Sequence, residues 1–348
     1  EVSLISMIMA SSGYIIMLPD YAGLGSSQGY HPYIIAETYT PAITNIVRAV
    51  KQMSSELDTE DSFMYNNQLY LFGYSEGGYA TMAAQRDIEY SMMSEFNLTA
   101  SFPMAGPYDL SGTMVDFYLS INYYPQPYYV ANVLFNHLDY YDSLDNLGEY
   151  FLPFWADTLA GLFDGTHSGT FINSLMPENP IEILLPSIIN DFTVNNENLF
   201  RLTLEENTLL DWTPVTPTYL MHATGDDIIP IANAQVAYNS FINNGAESVN
   251  LIELPLSAGG HEDAAPICLL TALDTISTYQ IISVKGDTNL DGLLNDIDYD
   301  LLIDNILNTT TFGLSESWAG DVDYDNRVSV FDLLLLENII EYGSNRSN

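Results

Sequence analysis

The sequence is poor in basic residues. Only 7 of its 348 residues are Lys or Arg, against 46 that are Asp or Glu, which gives a formal net charge of −39. This charge repels nucleic acid and anionic membrane surfaces, and it favours bound cations. We therefore expect no nucleic-acid partner.

Cysteine and long apolar runs are also scarce. The single cysteine, Cys268, excludes an internal disulfide, and it lies in the apolar stretch APICLLTALDTI, where a buried thiol is the ordinary state. No apolar run reaches the roughly 18 residues that a membrane-spanning helix needs, and no signal peptide is recognisable. Because the chain opens on EVSLISMIMASSG without an initiator Met, we expect its N-terminus to lie further upstream.

Apolar strand patterns alternate with helical patterns along most of the chain. The predicted strands are GYIIMLPDYAG, QLYLFGYS, LTASFPMAG, PTYLMHAT and VNLIELP. Such alternation indicates βαβ units, and so an α/β fold with a mostly parallel sheet flanked by helices.

The stretch between the third and fourth predicted strands, about residues 112–214, is too long for a plain crossover. Its aromatic clusters, NYYPQPYYV and GEYFLPFW, and its short helix-like patches predict a helical insertion over one end of the sheet, which we call the cap. Most of these aromatic residues are expected to fill the core of the cap. From Gly286 the composition becomes rich in Asp, so we predict two domains, residues 1–284 and 285–348.

The stretch LYLFGYSEGGYATMA contains a Gly-x-Ser-x-Gly signature centred on Ser75. A strand pattern precedes this serine and a helical pattern follows it, which is the context in which the signature carries a nucleophile. Gly73 and Gly77 are expected to relieve the steric conflict of a strand that reverses into a helix. The N–H of Glu76, at the helix N-terminus, is expected to stabilise an oxyanion. The alternative is a tight βα turn with an ordinary serine.

A nucleophilic serine requires a histidine base and an orienting carboxylate later in the chain. His261 follows the last predicted strand in the Gly-rich loop of ELPLSAGGHEDAAP, and Asp226 follows the fourth in YLMHATGDDIIP. Loops that follow parallel strands meet over one edge of a sheet. Asp226 is therefore the predicted acid, with Asp227 and Asp109 as its rivals.

The other four histidines have structural interpretations. His31 belongs to the loop motif GYHPY, and His222 lies at the end of a strand, where a packed and hydrogen-bonded imidazole is expected. His137 and His167 fall in the cap and carry no further signal.

Over about residues 3–282 the motifs LPDYAGLG, HPY, GYSEGGYATMAA, MAGPYDLSGTM, DWTPVTP, HATGDDIIP and GGH follow one another in the order of a known superfamily. The chain resembles the α/β-hydrolases, and among them the bacterial secreted lipases and esterases. This resemblance implies hydrolysis of a carboxylic ester by Ser75, His261 and Asp226, without a cofactor. In that family about three strands and a second oxyanion donor come before the opening helix. The N-terminal strands are therefore expected to be missing, and the chain to be poorly active.

Two Asp-rich segments, DTNLDGLLNDID and DVDYDNRVSVFD, align with each other. Their oxygen donors recur at loop positions 1, 3, 5, 7 and 12, from which calcium-binding loops hold the ion. The predicted ligands of two Ca²⁺ ions are the side chains of Asp287, Asn289, Asp291 and Asp298 in one loop and Asp321, Asp323, Asp325 and Asp332 in the other, with the backbone carbonyls of Leu293 and Arg327. The alternative is a solvated acidic tail.

A helical pattern follows each loop, YDLLIDNILN or LLLLENIIEY, and none is obvious before it. Over about residues 285–342 this arrangement resembles the type I dockerin, a small all-α calcium-binding module that binds a cohesin domain on a scaffolding protein. The resemblance implies that the residues that contact cohesin are Asp296 and Ile297 in the first copy and Val330 and Phe331 in the second. The second pair is apolar, which favours the second copy as the contact.

Together these patterns predict a secreted serine ester hydrolase, tethered through a dockerin to a cohesin-bearing scaffold in a cellulosome-like assembly. Its substrate would be a small ester or an acylated saccharide. The alternatives are a peptidase of the same fold and a non-catalytic scaffold or adhesion protein with a decayed hydrolase domain.

Overall fold

The computed structural model describes residues 2–56, 65–141, 144–281 and 284–344. The chain divides into two compact units, residues 1–46 with 69–276 and residues 47–68 with 277–348. The predicted domain boundary near Val284 lies inside the second unit.

The first unit contains a sheet of four parallel strands, whose order in the sheet is the order in the sequence. The strands are β1 (Leu69–Tyr74), β2 (Leu98–Met104), β3 (Thr218–Ala223) and β4 (Val249–Leu254). Successive residues of β2, from Ala100 to Phe102, are fully buried, so both of its faces are covered. This is the burial expected for a parallel sheet between layers of helices.

The register of the strands aligns their carboxyl ends. Tyr74 at the end of β1 pairs with Met104 at the end of β2, and the last residues of β3 and β4, Ala223 and Leu254, pair with each other. The segments that follow the four strands therefore emerge at one edge of the sheet.

The first strand predicted from the sequence is wrong. Residues 14–20 form no strand in the described structure, and the described sheet ends at β1. An apolar stretch becomes a strand only where a neighbouring strand pairs with its backbone, and no described strand pairs with this stretch.

The helices up to residue 277 are, in chain order, α1 (Val2–Ser11), α2 (Tyr39–Glu56), α3 (Glu76–Ser91), α4 (Val115–Ser120), α5 (Tyr128–Tyr140), α6 (Pro153–Leu162), α7 (Gly169–Asn173), α8 (Pro186–Val194), α9 (Leu199–Glu206), α10 (Ala232–Asn243) and α11 (His261–Ser277). Helix α3 packs on β1 and β2, and α10 packs on β3 and β4. Gly78 and Ala80 are among the small buried residues that let α3 approach the sheet closely.

The cap contains the helices from α4 to α9. Pro153 and Pro186 begin α6 and α8 at the position where proline needs no hydrogen bond, and Asn198 caps α9 by accepting from the N–H of Arg201. Phe135 and other cap side chains, including Leu138, Phe151 and Leu159, are fully buried. Apolar and aromatic side chains thus form a core within the cap.

The second unit contains α12 (Asp296–Ile306), α13 (Leu314–Gly320) and α14 (Val330–Ser344). Its described core centres on Leu302, Val322 and Leu336. The expectation that no helix precedes either acidic loop is wrong for the second loop, because α13 ends directly before Asp321. Ala319 in α13 is fully buried, so tertiary packing supports this short helix, which is only weakly indicated by the sequence.

Candidate active site and acidic loops

Ser75 occupies the turn between β1 and α3 with φ 61° and ψ −121°. A residue other than glycine is strained in this region of backbone space. The N–H of Ser75 donates to the carbonyl of Met104 at 2.9 Å, and the N–H of Tyr79 donates to the carbonyl of Ser75 at 3.1 Å. The sheet on one side and the helix on the other therefore hold the turn in its strained form.

Two glycines near this turn have no room for a side chain, Gly73 and Gly78, and the second of them was not predicted. A Cβ at Gly73 would lie 2.2 Å from the carbonyl oxygen of Gly77, and a Cβ at Gly78 would lie 2.2 Å from the carbonyl oxygen of Met104. A Cβ at Gly77 would meet nothing within 4 Å. The predicted role of Gly77 is therefore wrong, because the close approach of α3 to β2 occurs at Gly78.

His261 and Asp226 lie together at the carboxyl edge of the sheet. The His261 Nδ1 is 2.6 Å from Asp226 Oδ2. Since a carboxylate accepts hydrogen bonds, Nδ1 carries a proton, and the neutral form of the ring has its lone pair on Nε2. His261 is the first residue of α11 and not a loop residue as predicted, because the carboxylate of Asp227 accepts from its N–H at 3.0 Å and so caps the helix.

Tyr74 connects this histidine to the Ser75 turn. Its hydroxyl donates to the carbonyl oxygen of His261 at 2.6 Å, and the two rings are 5.0 Å apart at their centroids. Tyr74 immediately precedes Ser75, so this bond fixes the start of α11 beside the end of β1. Among the described hydrogen bonds, none joins the hydroxyl of Ser75 to His261. A catalytic bond of this kind commonly tightens only when substrate binds.

The carboxylate of Asp226 is fully buried and has four polar neighbours. Its Oδ1 accepts from the N–H groups of Ile228 and Ile229 at 3.0 and 2.8 Å. Its Oδ2 lies 3.1 Å from His222 Nε2 as well as 2.6 Å from His261 Nδ1. Burial raises the pKa of Asp226, but the hydrogen bonds from His222 and His261 outweigh it and hold the pKa well below its ordinary value. Asp226 is therefore an anion at neutral pH.

The rival carboxylates have other positions. Asp227 binds the backbone of His261, and Asp109 accepts from the N–H groups of Gly112 and Thr113 at 3.0 and 2.8 Å, which caps a helical turn. Of the three candidates, Asp226 alone reaches the imidazole of His261 in the described structure.

The remaining histidines and the cysteine are largely structural, with two exceptions. His222 is fully buried and its Nε2 lies 2.8 Å from the carbonyl of Ile229, as a packed imidazole should, but its contact with Asp226 was not foreseen. His31 contacts Glu76 across 45 positions of sequence, which no local pattern reveals. Cys268 is buried as predicted, and burial raises the pKa of its thiol to about 12.

An apolar cavity of about 700 Å³, including its open mouth, borders Ser75. Its lining comes mainly from the cap and includes Met114, Tyr118, Val130, Leu134 and Phe200. A second apolar cavity shares Val115, Tyr118, Val130, Leu134, Phe200 and Leu204 with the first and continues to Ile188 and Phe192. The two spaces are therefore neighbours, and the second is lined by cap residues alone and does not border Ser75.

Glu76, the predicted oxyanion donor, is the first residue of α3. An N–H group in the first turn of a helix has no partner within the helix, and the dipole of the helix favours negative charge at this end. The site thus combines a strained serine, an ordered imidazole–carboxylate pair and a helix N-terminus, which are the parts that acyl transfer requires.

The two acidic loops share one conformation. Positive φ angles occur at Leu290 and Gly292 in the first loop and at the aligned Tyr324 and Asn326 in the second, between 60° and 82°. The carboxylate at position 12 accepts two backbone N–H groups in each loop, from Asn289 and Asn295 for Asp298, and from Asp323 and Ser329 for Asp332, in every case within 3.1 Å. The sequence repeat is therefore a structural repeat.

The second loop brings three of its predicted ligands together. Carboxylate oxygens of Asp321, Asp323 and Asp325 lie within 4.8 Å of one another. Asp321 is 7% exposed, and its Oδ1 is buried without a hydrogen-bond partner, while its Oδ2 lies 3.2 Å from Lys285 Nζ. Oxygen donors alone, one of them buried and unpaired, fit Ca²⁺.

In the first loop the carboxylate of Asp287 accepts from the N–H groups of Asp291 and Gly292 at 3.0 and 2.9 Å. The predicted cohesin-contact residues are exposed in both copies: Asp296, Ile297, Val330 and Phe331. No helix among the described residues has the length and apolar character needed to cross a membrane.

Comparison with known proteins finds a matching sequence family and several similar structures. Residues 1–91, which include Ser75 and α3, match the sequence profile of the family described as secretory lipase. No protein with a curated function matches the chain.

Several solved structures are similar to the chain. The rice cell wall degrading esterase LipA from Xanthomonas oryzae is 31% identical, with 75% of this chain covering 70% of that one at a TM-score of 0.66. A protein of Legionella pneumophila described as a hydrolase is 26% identical over 77% of this chain and 70% of its own, with a TM-score of 0.68. Candida antarctica lipase A in its closed state, 19% identical over 71% of this chain and 55% of its own, has a TM-score of 0.58 and shares the fold.

Proposed function

The chain belongs to the α/β-hydrolase esterases and lipases, and on that premise we propose that Ser75, His261 and Asp226 are its catalytic triad. It is an ester hydrolase. The observation that carries the triad is the 2.6 Å contact between His261 Nδ1 and Asp226 Oδ2, at the sheet edge from which Ser75 also emerges. The peptidase and the non-catalytic scaffold are the weaker alternatives, because the similar Xanthomonas protein is an esterase and residues 1–91 match a lipase family.

The proposed reaction follows from the protonation of these groups. His261 Nε2 takes the proton of the Ser75 hydroxyl while Oγ bonds to the ester carbonyl carbon, and the N–H of Glu76 donates to the carbonyl oxygen as it becomes negative. The imidazolium then gives its proton to the leaving alkoxide, and the C–O ester bond breaks. Water attacks the acyl-enzyme by the same steps, which releases the carboxylic acid and restores Ser75. Asp226 stays ionised and stabilises the imidazolium.

A fluorophosphonate probe tests this assignment. We expect it to label Ser75, and p-nitrophenyl esters to be hydrolysed without cleavage of peptides. Ser75→Ala is expected to abolish labelling and to lower kcat by about 10⁶. Labelling at another serine, or equal hydrolysis by Ser75→Ala, would contradict the proposed nucleophile.

We further propose that these two apolar cavities hold the acyl chain of the substrate. The lining next to Ser75 is almost entirely hydrocarbon and aromatic, and each methylene buried there would contribute about 0.8 kcal/mol. An acyl chain longer than acetyl is therefore favoured. That the alcohol is a saccharide, as in a plant cell wall, is a proposal supported by the printed name of the Xanthomonas esterase.

Leu134 borders both cavities and offers a test of the acyl site. Leu134→Trp should fill the space between them, so that kcat/KM falls for decanoate esters and stays near its original value for acetate esters. Leu202→Trp, on an exposed position of α9, is the matched control and should alter neither value. An equal loss with both ester lengths would indicate general damage to the cap and would count against the acyl site.

Residues 285–348 are proposed to be a calcium-dependent dockerin that binds a cohesin and so tethers a secreted enzyme. The structural repeat of the loops, the unpaired Asp321 Oδ1 and the exposed Val330 and Phe331 support this proposal. Calcium would bring the loop carboxylates together by cancelling their mutual repulsion. Secretion agrees with the secretory lipase profile.

Calorimetric titration of the full chain with CaCl2 is expected to give two ions per chain. The double variant Asp321→Asn, Asp323→Asn should leave one. Absence of calcium binding, or equal heats with MgCl2, would contradict the calcium loops.

A panel of type I cohesins tests the partner separately. Binding should require calcium and should be lost in the double variant Val330→Asp, Phe331→Asp. The matched change in the first copy, Asp296→Ala with Ile297→Ala, should leave it intact. If only the first-copy variant lost binding, the cohesin contact would belong to the first copy.

A further inference from the structure

Glu76 carries a carboxylate on the same residue whose backbone N–H is proposed to receive the negative charge of the reaction. Its Oε1 lies 2.5 Å from His31 Nε2 and accepts from the hydroxyl of Tyr39 at 3.0 Å. The side chains of His31 and Glu76 are 12% and 25% exposed, so neither charge is fully screened by water.

The partners of His31 determine its protonation. Its Nδ1 lies 2.8 Å from the carbonyl oxygen of Ala22, and its Nε2 faces the carboxylate of Glu76. A carbonyl and a carboxylate are both acceptors, so each ring nitrogen must donate a proton. His31 is therefore an imidazolium. Its pKa agrees, because the hydrogen bond and charge of Glu76, together with the Ala22 carbonyl, raise it more than burial lowers it.

The hydroxyl of Tyr39 has a fixed direction for the same kind of reason. The N–H of Ile34 donates to its oxygen at 2.9 Å, so the phenol proton points to Glu76. Two donors thus converge on one carboxylate oxygen of Glu76. Ile34 itself has φ 60° and borders the cavity beside Ser75, so this network also holds a strained residue at the cavity wall.

The Glu76 carboxylate belongs to the residue that directly follows Ser75 and begins α3. Negative charge near a forming oxyanion opposes the reaction, because like charges repel strongly where water is partly excluded. We propose that His31 is a positioning residue that cancels the charge of the Glu76 carboxylate and so preserves the oxyanion site next to Ser75. The proposal rests on the proposed function of Ser75. It assigns a role in the reaction to a loop histidine that lies 45 residues from its partner.

His31→Gln tests the charge, because glutamine can still donate a hydrogen bond to Glu76 but carries no charge. We expect kcat to fall by about tenfold or more, with KM little changed, since only the charged transition state is affected. Addition of Glu76→Gln to this variant removes the uncompensated carboxylate and should restore most of the lost kcat. A double variant as slow as His31→Gln, or a loss confined to KM, overturns the proposal.

The outcomes separate this inference from the proposed function. If the unchanged protein neither hydrolyses esters nor labels at Ser75, the proposed function fails. If it does both and His31→Gln matches it, only the role of His31 fails. Should the variant not fold, ¹H–¹⁵N spectra of the histidine side chains in the unchanged protein decide the matter at mildly alkaline pH. One imidazolium with both nitrogens protonated is expected, and neutral rings throughout overturn the proposal.

Discussion

Asp226 and Asp227 are neighbours in the chain, and their carboxylates bind different parts of one histidine. Asp226 Oδ2 contacts the ring of His261 at 2.6 Å, whereas Asp227 Oδ1 accepts from its backbone N–H at 3.0 Å. The first contact selects the tautomer and stabilises the imidazolium, and the second begins the helix. Two chemically identical groups thus have separable effects.

Substitution of each aspartate by asparagine should separate these effects. Asp226→Asn is expected to lower kcat on a p-nitrophenyl ester by about 10⁴, because the ring loses its orienting anion. Asp227→Asn, the matched control, retains an oxygen for the N–H of His261 and should lose less than about tenfold. Equal losses would refute the assignment of the acid.

His137 in the cap predicts a pH dependence of stability. Burial lowers its pKa to about 4, and its Nδ1 lies 3.1 Å from Thr203 Oγ1. The unfolded chain binds a proton near the ordinary pKa of about 6.5, while the folded chain does so only near 4. The contribution of the neutral ring to stability is therefore complete above about pH 6.5 and is lost as the pH falls towards 4.

His137→Asn keeps a donor for Thr203 and removes this titration. Between about pH 6.5 and 4, the free energy of unfolding of the unchanged protein should fall more steeply than that of the variant, by up to about 1.4 kcal/mol per pH unit. Denaturant unfolding at several pH values measures both slopes. His167→Asn, at an exposed position of the cap, should keep the steeper slope, and equal slopes for all three proteins would contradict the prediction.

At the scale of elements, the contact between α3 and β2 decides how well the Ser75 turn is held. A Cβ at Gly78 would meet the carbonyl of Met104 at 2.2 Å, and this same carbonyl accepts from the N–H of Ser75. Any displacement of α3 is therefore transmitted to the backbone of the serine.

Two neighbouring glycines offer a matched test of this contact. Gly78→Ala should lower the free energy of unfolding by about 1–3 kcal/mol or more and reduce labelling of Ser75, because backbone must move to admit the methyl group. Gly77→Ala should leave both close to their original values, since the space beside it is open. If Gly77→Ala lowered stability and labelling while Gly78→Ala did not, glycine would be required by the Gly-x-Ser-x-Gly motif and not by the contact between α3 and β2.

The four described strands and the order of the site residues could be predicted because both are carried by local patterns. Apolar runs indicate strands, and groups that follow parallel strands must meet at one edge of the sheet. Residues 14–20 have the same kind of pattern, but a strand also needs a partner, which the local sequence cannot show. Helix α13 was missed for the converse reason, because buried contacts stabilise a segment with little intrinsic signal.

The contacts between distant side chains could not be predicted. The sequence identified Asp226 and His261 by their order, but not the contact of His222 with the same carboxylate. The pairing of His31 with Glu76 depends on the route of a loop between α1 and α2. Such contacts follow from tertiary geometry, for which the local sequence carries no signal.

At the scale of the whole molecule, the net charge of −39 produces electrostatic repulsion throughout the folded chain. Like charges repel over about 10 Å at ordinary ionic strength, and compaction brings them closer. Folding stability should therefore depend on salt even where no specific ion binds.

Thermal unfolding of the full chain in the presence of a chelator measures this effect. An increase of NaCl from about 0.01 M to 1 M, which shortens the screening length about tenfold, should raise Tm by several degrees. Without the chelator, CaCl2 at equal ionic strength should further raise the temperature at which the second unit unfolds. A Tm that is insensitive to NaCl would refute the role of charge repulsion.

The cap leaves the sheet after β2 and returns at β3, two strands that are direct neighbours. Its length and composition can consequently change during evolution without shifting any strand against another. Proteins with the same catalytic residues can therefore differ in the esters that they hydrolyse. Replacement of the cap of one such enzyme by that of another should transfer the substrate preference.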